Sequence, residues 1–246
     1  MARVDILGVQ VSAIDMQAAI AVLDTWIKTS SSRYICVTGV HGIMESRGDP
    51  GLRDIHNAAG LVTPDGMPLV WMAHWLGFPN VGRVYGPDLR MTELSARCGY
   101  RNYYFGGRPG TAERLRSAMQ QAYPGLQVVG TFSPAFSAPS AAEDQAIVDA
   151  INEAAPDIVW VGLSTPKQER WMAEHRQRLN APLLIGVGAA FDFLSGEKRQ
   201  APAWMQRNGL EWLFRLATEP RRLAGRYLRN NPRFLLLAAR QLLKSR

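Results

Sequence analysis

Hydrophobic positions change period repeatedly along the chain. Short β-rich runs stand at residues 34–38, 61–63, 103–105, 126–131, 158–163 and 183–187, and each is a candidate parallel strand. Between them, apolar residues recur at helical spacing over residues 15–28, 67–76, 109–123, 141–155 and 166–179. Two of these stretches begin with Pro109 and Pro166, in the first turn, where a missing N–H leaves no bond unmade. Strand and helix in alternation predict an α/β fold with a mostly parallel sheet. The alternation ends near Gly196, and a Trp-, Leu- and Arg-rich helical tail follows with no strand in it. The expected division is a body of residues 1–196 and a helical appendage of residues 197–246. No internal repeat or low-complexity linker occurs, and residues 133–142 are the most loop-like part of the body.

In open α/β sheets ligands bind beyond the carboxyl ends of the strands, so the segments that follow them carry the candidate chemistry. Asp65, in Thr63-Pro64-Asp65-Gly66, stands directly after a strand and before an apolar helix. It reads either as a helix N-cap or as a catalytic base. Gly106 and Gly107, in Phe105-Gly106-Gly107-Arg108-Pro109-Gly110, suit either a tight structural turn or backbone N–H groups that approach a phosphate at a helix N-terminus. Lys167 and Gln168 open a helix after the strongest strand and can donate to a ligand, whereas Glu169 beside them is equally explained by the helix dipole. Asp192 lies between Phe191 and Phe193, where a carboxylate is either hydrogen-bonded to backbone or bound to a ligand.

Several function classes drop out. His56 and His74 read as structural, His175 as a solvated helix face, and His41 has no partner at zinc-ligand spacing. Neither a dinucleotide fingerprint, a P-loop, a G-x-S-x-G elbow nor a D-x-D triplet is present. No metal or other cofactor is therefore expected. A transferase using a nucleotide sugar would have to meet the departing diphosphate with Arg, Lys or helix N-termini; Arg83, Arg108, Lys167 and the tail arginines are candidates. Cys36 and Cys98 are the only cysteines and fit no zinc or redox spacing. No run reaches the roughly 20 apolar residues of a membrane span, and residues 1–10 do not form a secretory signal. The expected location is cytoplasmic.

Charge adds a further division. The 28 basic and 21 acidic residues leave +7, yet residues 197–246 hold 12 basic and 3 acidic, a net of +9, and the rest is at −2. From Arg221 onward arginines alternate with Leu223, Tyr227, Leu228 and Phe234. A basic helix with such a face is similar to an interfacial membrane helix. An oligomer contact and a nucleic-acid tail are the competing readings; the membrane surface ranks first, a homo-oligomer stays open, and nucleic acid is not expected as a partner.

Several segments, in order and over nearly the whole chain, resemble the WecG/TagA/CpsF family of glycosyltransferases, also called glycosyltransferase family 26. They include Asn57-Ala58-Ala59-Gly60-Leu61-Val62-Thr63-Pro64-Asp65-Gly66, Arg83-Val84-Tyr85-Gly86-Pro87-Asp88-Leu89, Tyr104-Phe105-Gly106-Gly107, Ser164-Thr165-Pro166-Lys167-Gln168-Glu169, Gly186-Val187-Gly188-Ala189-Ala190-Phe191-Asp192-Phe193 and Glu219-Pro220-Arg221-Arg222. The resemblance implies a Rossmann-like body with helices on both faces of its sheet, and a basic appendage that meets the inner face of the cell membrane and completes the active site. It implies an inverting, metal-independent enzyme that moves a hexose or N-acetylhexosamine-type sugar from a UDP-sugar to an undecaprenyl-diphosphate-linked saccharide. By the same match Asp65 is the base; Thr38, Arg83, Gln168 and Asp192 line the donor pocket; and Arg215, Arg221, Arg222 and Arg226 come from the appendage. Many members carry Asn where this chain has Val40. The Thr38-Gly39-Val40-His41-Gly42 form looks more like the exopolysaccharide subgroup that adds glucose to lipid-linked glucose, as in xanthan or acetan assembly. An N-acetylmannosamine or N-acetylmannosaminuronate transferase of the teichoic acid or enterobacterial common antigen type is the alternative.

Overall fold

The computed structural model describes residues 1–85, 90–135 and 139–245. Residues 86–89 of the resembling segments, residues 136–138 of the loop-like stretch and Arg246 of the tail lie outside the described residues. In chain order the elements are β1 (Arg3–Ile6), β2 (Val9–Ser12), α1 (Met16–Lys28), β3 (Arg33–Thr38), α2 (Val40–Gly48), α3 (Pro50–Ala58), β4 (Leu61–Pro64), α4 (Met67–Trp75) and α5 (Arg90–Cys98). They continue as β5 (Arg101–Gly106), α6 (Thr111–Ala122), β6 (Gln127–Phe132), α7 (Ala141–Glu153), β7 (Ile158–Gly162), α8 (Lys167–His175), β8 (Leu183–Gly186) and α9 (Ala190–Leu194). The tail forms α10 (Ala203–Arg207), α11 (Glu211–Thr218) and α12 (Pro220–Lys244). The six expected strands form one parallel sheet in the order β4-β3-β8-β7-β5-β6, flanked by helices.

A hairpin absent from the sequence expectation opens the chain: β1 and β2 pair antiparallel, Val4 with Val11 and Ile6 with Val9. Leu7 and Gly8 make its turn with φ of 54° and 96°, both positive as a two-residue hairpin demands. Leu is not a turn residue, and so the period-two pattern of Val4, Ile6, Val9 and Val11 was hidden.

The chain clusters into two compact units. One comprises Ala19–Cys36 with Gly86–Arg199. Its core includes the fully buried Phe105, Leu115, Ile151, Ile158 and Phe191. His175, expected on a solvated face, is 4% exposed. It stacks on Trp171 at 4.4 Å, which itself stacks on Phe105 at 4.2 Å, and its Nε2 meets Asp144 Oδ1 at 2.8 Å. The short polar spacing around His175 concealed an inward ring that ties α8 to α7. At the end of β5, Gly106 has φ of 131°, and a Cβ there would lie 2.6 Å from the backbone of Gly162. Gly107, at φ 77°, would put a Cβ 2.6 Å from Thr111. The turn alone therefore accounts for both glycines.

The other unit comprises Met1–Ala18, Val37–Tyr85 and Gln200–Arg246. Here α12 buries Leu223, Asn230, Phe234 and Ala238, a stripe at helical spacing. Asn230 meets His41 on α2 at 3.2 Å. Gln241 accepts from the Leu7 N–H at 2.9 Å and donates to the Asp5 carbonyl at 2.7 Å, which anchors the last helix on the hairpin turn. The edges of two rings, Trp212 and Tyr227, join α11 to α12 with centroids 6.0 Å apart.

Gly106→Ala should destabilise by about 3 kcal/mol, since it combines a glycine-only conformation with a backbone clash; in a chain of this size that lowers the melting temperature by roughly 6–12 °C. Gly225→Ala inside α12, where a Cβ meets nothing within 4 Å, should raise it slightly. Thermal unfolding followed by circular dichroism tests both.

Candidate active site

All four residues of β4 are buried, and the strand delivers Asp65 at its carboxyl end. The Asp65 N–H donates to the Thr38 carbonyl at 2.8 Å, which fixes this turn to the end of β3. Gly66, with φ of 111°, occupies the N-cap of α4, and no side chain caps the helix. Asp65 thus sits one residue too early to be the cap. Its carboxylate points to a cation instead: Oδ1 accepts from Arg83 Nη2 at 3.3 Å. The same nitrogen donates at 2.5 Å to Glu211 Oε2, on the first turn of α11. Glu211 Oε1 accepts the Tyr85 hydroxyl at 3.3 Å, and Gln200 Nε2 donates to the Tyr85 oxygen at 3.1 Å. The Arg83 guanidinium lies over the Tyr85 ring at 4.0 Å. Arg83 Nε is buried and has no hydrogen-bond partner.

Burial pushes the Asp65 carboxyl up from 3.8 to about 6; Arg83 and Arg215 oppose the rise, and Glu211 adds to it. Although 30% of its side-chain surface still meets water, the protein around the carboxyl removes enough hydration for that cost to win. For Arg83, burial alone would weaken the charge, but Asp65 and Glu211 more than offset it and the guanidinium is held above its ordinary value. Burial, and then the two carboxylates, push the Tyr85 hydroxyl up as well.

Arginines gather on α11 and α12. Burial, with the charges of Arg215 and Arg222 close by, lowers Arg226 below its usual value. Glu219 clasps Arg222 through two bonds, at 2.9 and 2.8 Å. Arg221 is exposed. Thr38, at 2% exposure, turns its hydroxyl inward: Oγ1 lies 3.1 Å from His56 Nε2, and His56 Nδ1 lies 3.0 Å from the Leu52 carbonyl. A carbonyl only accepts, so Nδ1 carries the proton and Nε2 receives the threonine hydroxyl.

In the other unit, Gln168 and Glu169 are 2% and 0% exposed. Glu169 Oε1 accepts from Thr165 Oγ1 at 2.9 Å and from Gln168 Nε2 at 3.0 Å, while Gln168 Oε1 and Glu169 Oε2 have no hydrogen-bond partner. A Cβ on Gly188 would meet Gln168 Oε1 at 3.3 Å, which places that amide against the loop after β8. Asp192, on α9, pairs with Lys198. Lys167 is exposed on the first turn of α8. Among the described residues, no three His, Cys, Asp or Glu side chains are grouped to hold a metal ion.

The sequence profile described as the glycosyl transferase WecG/TagA/CpsF family matches residues 4–246. The chain belongs to this family. It is a glycosyltransferase. Similar proteins include the N-acetylglucosaminyldiphosphoundecaprenol N-acetyl-β-D-mannosaminyltransferase of Bacillus spizizenii, 24% identical over 200 residues, with 80% of this chain and 76% of the relative covered. The enzyme of the same name from Staphylococcus aureus is 24% identical over 245 residues, with 97% and 93% covered.

Within this glycosyltransferase, Asp65, Arg83 and the charge of Arg215 meet in one unit, where Arg215, Arg222 and Arg226 also neighbour one another. Sequence reasoning missed Glu211, Tyr85 and Gln200 as parts of this cluster. Glu211 is 128 positions from Arg83, beyond any spacing rule, and its one signal was to be one of 3 acids in a segment of net +9.

Because the folded carboxyl of Asp65, at about 6, titrates above its ordinary 3.8, the folded protein holds that proton more tightly than the unfolded chain. The resulting stability is complete below 3.8 and lost as pH rises through about 6. Asp65→Asn should therefore melt higher than the wild type at pH 7.5, on the order of a few degrees. Melting curves at stepped pH should show the gap close toward pH 4.

Proposed function

We propose that this glycosyltransferase moves an N-acetylmannosamine-type sugar from a UDP-sugar to an N-acetylglucosamine carried on undecaprenyl diphosphate, with Asp65 as the base. One observation carries the reading: a carboxyl held at about 6 beside an arginine with an unpartnered buried Nε, in a chain of this family. The names of the Bacillus and Staphylococcus relatives support the sugar and the acceptor. Transfer of glucose to lipid-linked glucose is the second reading, favoured by Val40 at the N-terminus of α2.

Asp65 takes the proton of an acceptor hydroxyl as its oxygen bonds to the anomeric carbon, and the bond from that carbon to the UDP oxygen breaks on the opposite face. UDP leaves with the electron pair, and the anomeric configuration inverts. Arg83 through Nε, with Arg215, Arg222 and Arg226, meets the charge that develops on the diphosphate, and no metal takes part. In the other unit, Gln168 Oε1, a buried acceptor without a hydrogen-bond partner, suits an N–H group of a ligand. Thr38 holds the base's turn in place, since its carbonyl accepts the Asp65 N–H at 2.8 Å.

The acceptor is lipid-borne, so the enzyme works at the inner face of the membrane. No described helix is long and apolar enough to cross a membrane. On α12, opposite the buried stripe, Leu228, Leu235, Leu236 and Leu243 are 72%, 65%, 54% and 75% exposed, with Arg229, Arg233 and Arg240 on the same helix. Such a helix lies in the interface of an anionic bilayer.

Asp65→Asn should cut turnover by about 10²–10⁴-fold while UDP binding, read by calorimetry, persists; near wild-type turnover would exclude the base assignment. A panel of UDP-glucose, UDP-N-acetylmannosamine and its uronate, assayed on a synthetic prenyl-diphosphate sugar, should give product with N-acetylmannosamine, and product from UDP-glucose alone would favour the second reading. Replacing Leu228, Leu235 and Leu236 with Ser should weaken flotation with phosphatidylglycerol vesicles by at least about tenfold, and equal flotation would rule out this docking face.

A further inference from the structure

Two carboxylates compete for one guanidinium nitrogen, and their positions are unequal. Glu211 Oε2 lies 2.5 Å from Arg83 Nη2, whereas Asp65 Oδ1 lies 3.3 Å away. Glu211 is also the better held of the two. Its second oxygen takes the Tyr85 hydroxyl, Gln200 fixes that hydroxyl from behind, and the Tyr85 ring supports the guanidinium from below. Asp65 has one bond to the same nitrogen and none of these supports.

We propose that Glu211 is a positioning residue of the transfer reaction: it holds Arg83 by Nη2, keeps Asp65 the looser partner of that cation, and so preserves Asp65 as a proton acceptor. The proposal rests on Asp65 being the base. The charged and titratable groups that face Asp65 are Arg83 and Tyr85, from the segment after α4, and Glu211 and Arg215 from α11. Arg83 and Arg215 favour the ionised carboxylate, and Glu211 is the one negative charge among the four. Without Glu211, Arg83 is free to close on Asp65 as a full ion pair, and a carboxylate so paired is a weaker base. The same grip leaves Arg83 Nε, which has no partner, for a ligand oxygen. Glu211 touches no reacting atom in this scheme; its influence passes through Arg83.

The test is the titration of Asp65 itself, followed by the ¹³C resonance of its carboxyl carbon and assigned by its loss in Asp65→Asn. The variants are Glu211→Asp, which keeps the charge but draws it back by one methylene, and Glu211→Gln, which removes it. The expected order of midpoints is wild type, then Glu211→Asp, then Glu211→Gln, the last about one pH unit below wild type. The acid limb of kcat/KM for the acceptor should move in the same order, and the plateau for Glu211→Gln should fall roughly 3- to 10-fold, as a weaker base transfers its proton less readily. A variant that merely loosened α11 would lose rate with the limb in place. Wild-type midpoints in the variants would overturn the proposal, and if Glu211→Gln does not fold, the Glu211→Asp midpoint decides alone. High turnover in Asp65→Asn would remove the base reading, while the order of midpoints would still report on Glu211; an inactive Asp65→Asn with unmoved midpoints would overturn the Glu211 proposal alone.

Discussion

Two carboxylates, Asp65 and Glu211, meet on one nitrogen of Arg83, and the geometry of that meeting governs the candidate site. Burying ions is costly unless each finds a partner, and here two carboxylates share one guanidinium that also rests on an aromatic ring. The cluster forms only if the C-terminal helices are in place. Glu211 stands on α11, α11 is joined to α12 through Trp212 and Tyr227, and α12 is held by Leu223, Phe234 and Ala238 and by the bonds of Gln241 to the hairpin turn. A dependence therefore runs from Leu7 at the start of the chain, through the last helix, to the charge state of Asp65. The hairpin that looks peripheral is the far end of the support for the site.

The parallel strands were legible because each is a compact apolar run followed by a glycine- or proline-rich turn, and burial on a sheet leaves that mark in the sequence. Asp65 was legible for the same reason, since a strand end fixes where its residue goes. What its carboxylate does was not legible. A cap and an ion pair differ by one residue of backbone geometry, and only the φ of Gly66 assigns the cap to that glycine. His175 was misread because helical spacing gives the face of a ring only when the neighbouring layer is known, and Trp171 and Asp144 supply that layer. Glu211 lay beyond reach for a more general reason: long-range ion pairs leave no periodicity.

The uneven charge has a counterpart in the unpaired atoms. In the unit that contains the tail, Arg215, Arg222 and Arg226 stand close enough for the others to depress Arg226, and Arg83 Nε has no acceptor. Clustered positive charge and the open Arg83 Nε are both relieved by an anion. In the unit of β5 to β8, the unpaired atoms of Gln168 and Glu169 are both oxygens, which call for N–H or O–H. A fold optimised only for stability would leave neither set open, since a buried polar atom without a partner costs about 1–3 kcal/mol.

Asp65 follows the same logic in its protonation state. A carboxylate clasped by two arginines would be the more stable arrangement, and it would also be a poor base. The structure departs from that arrangement by the smallest available means, a second carboxylate that takes the shorter bond to the shared cation. Its cost is a buried cluster with more negative charge than Arg83 alone can neutralise, and Arg215 supplies the remaining attraction from one turn further along α11. Under the proposed assignment of Asp65 as base, the side chain that keeps it reactive, Glu211, and the side chain that keeps the cluster tolerable, Arg215, sit on the same short helix, so movement of α11 would change both together.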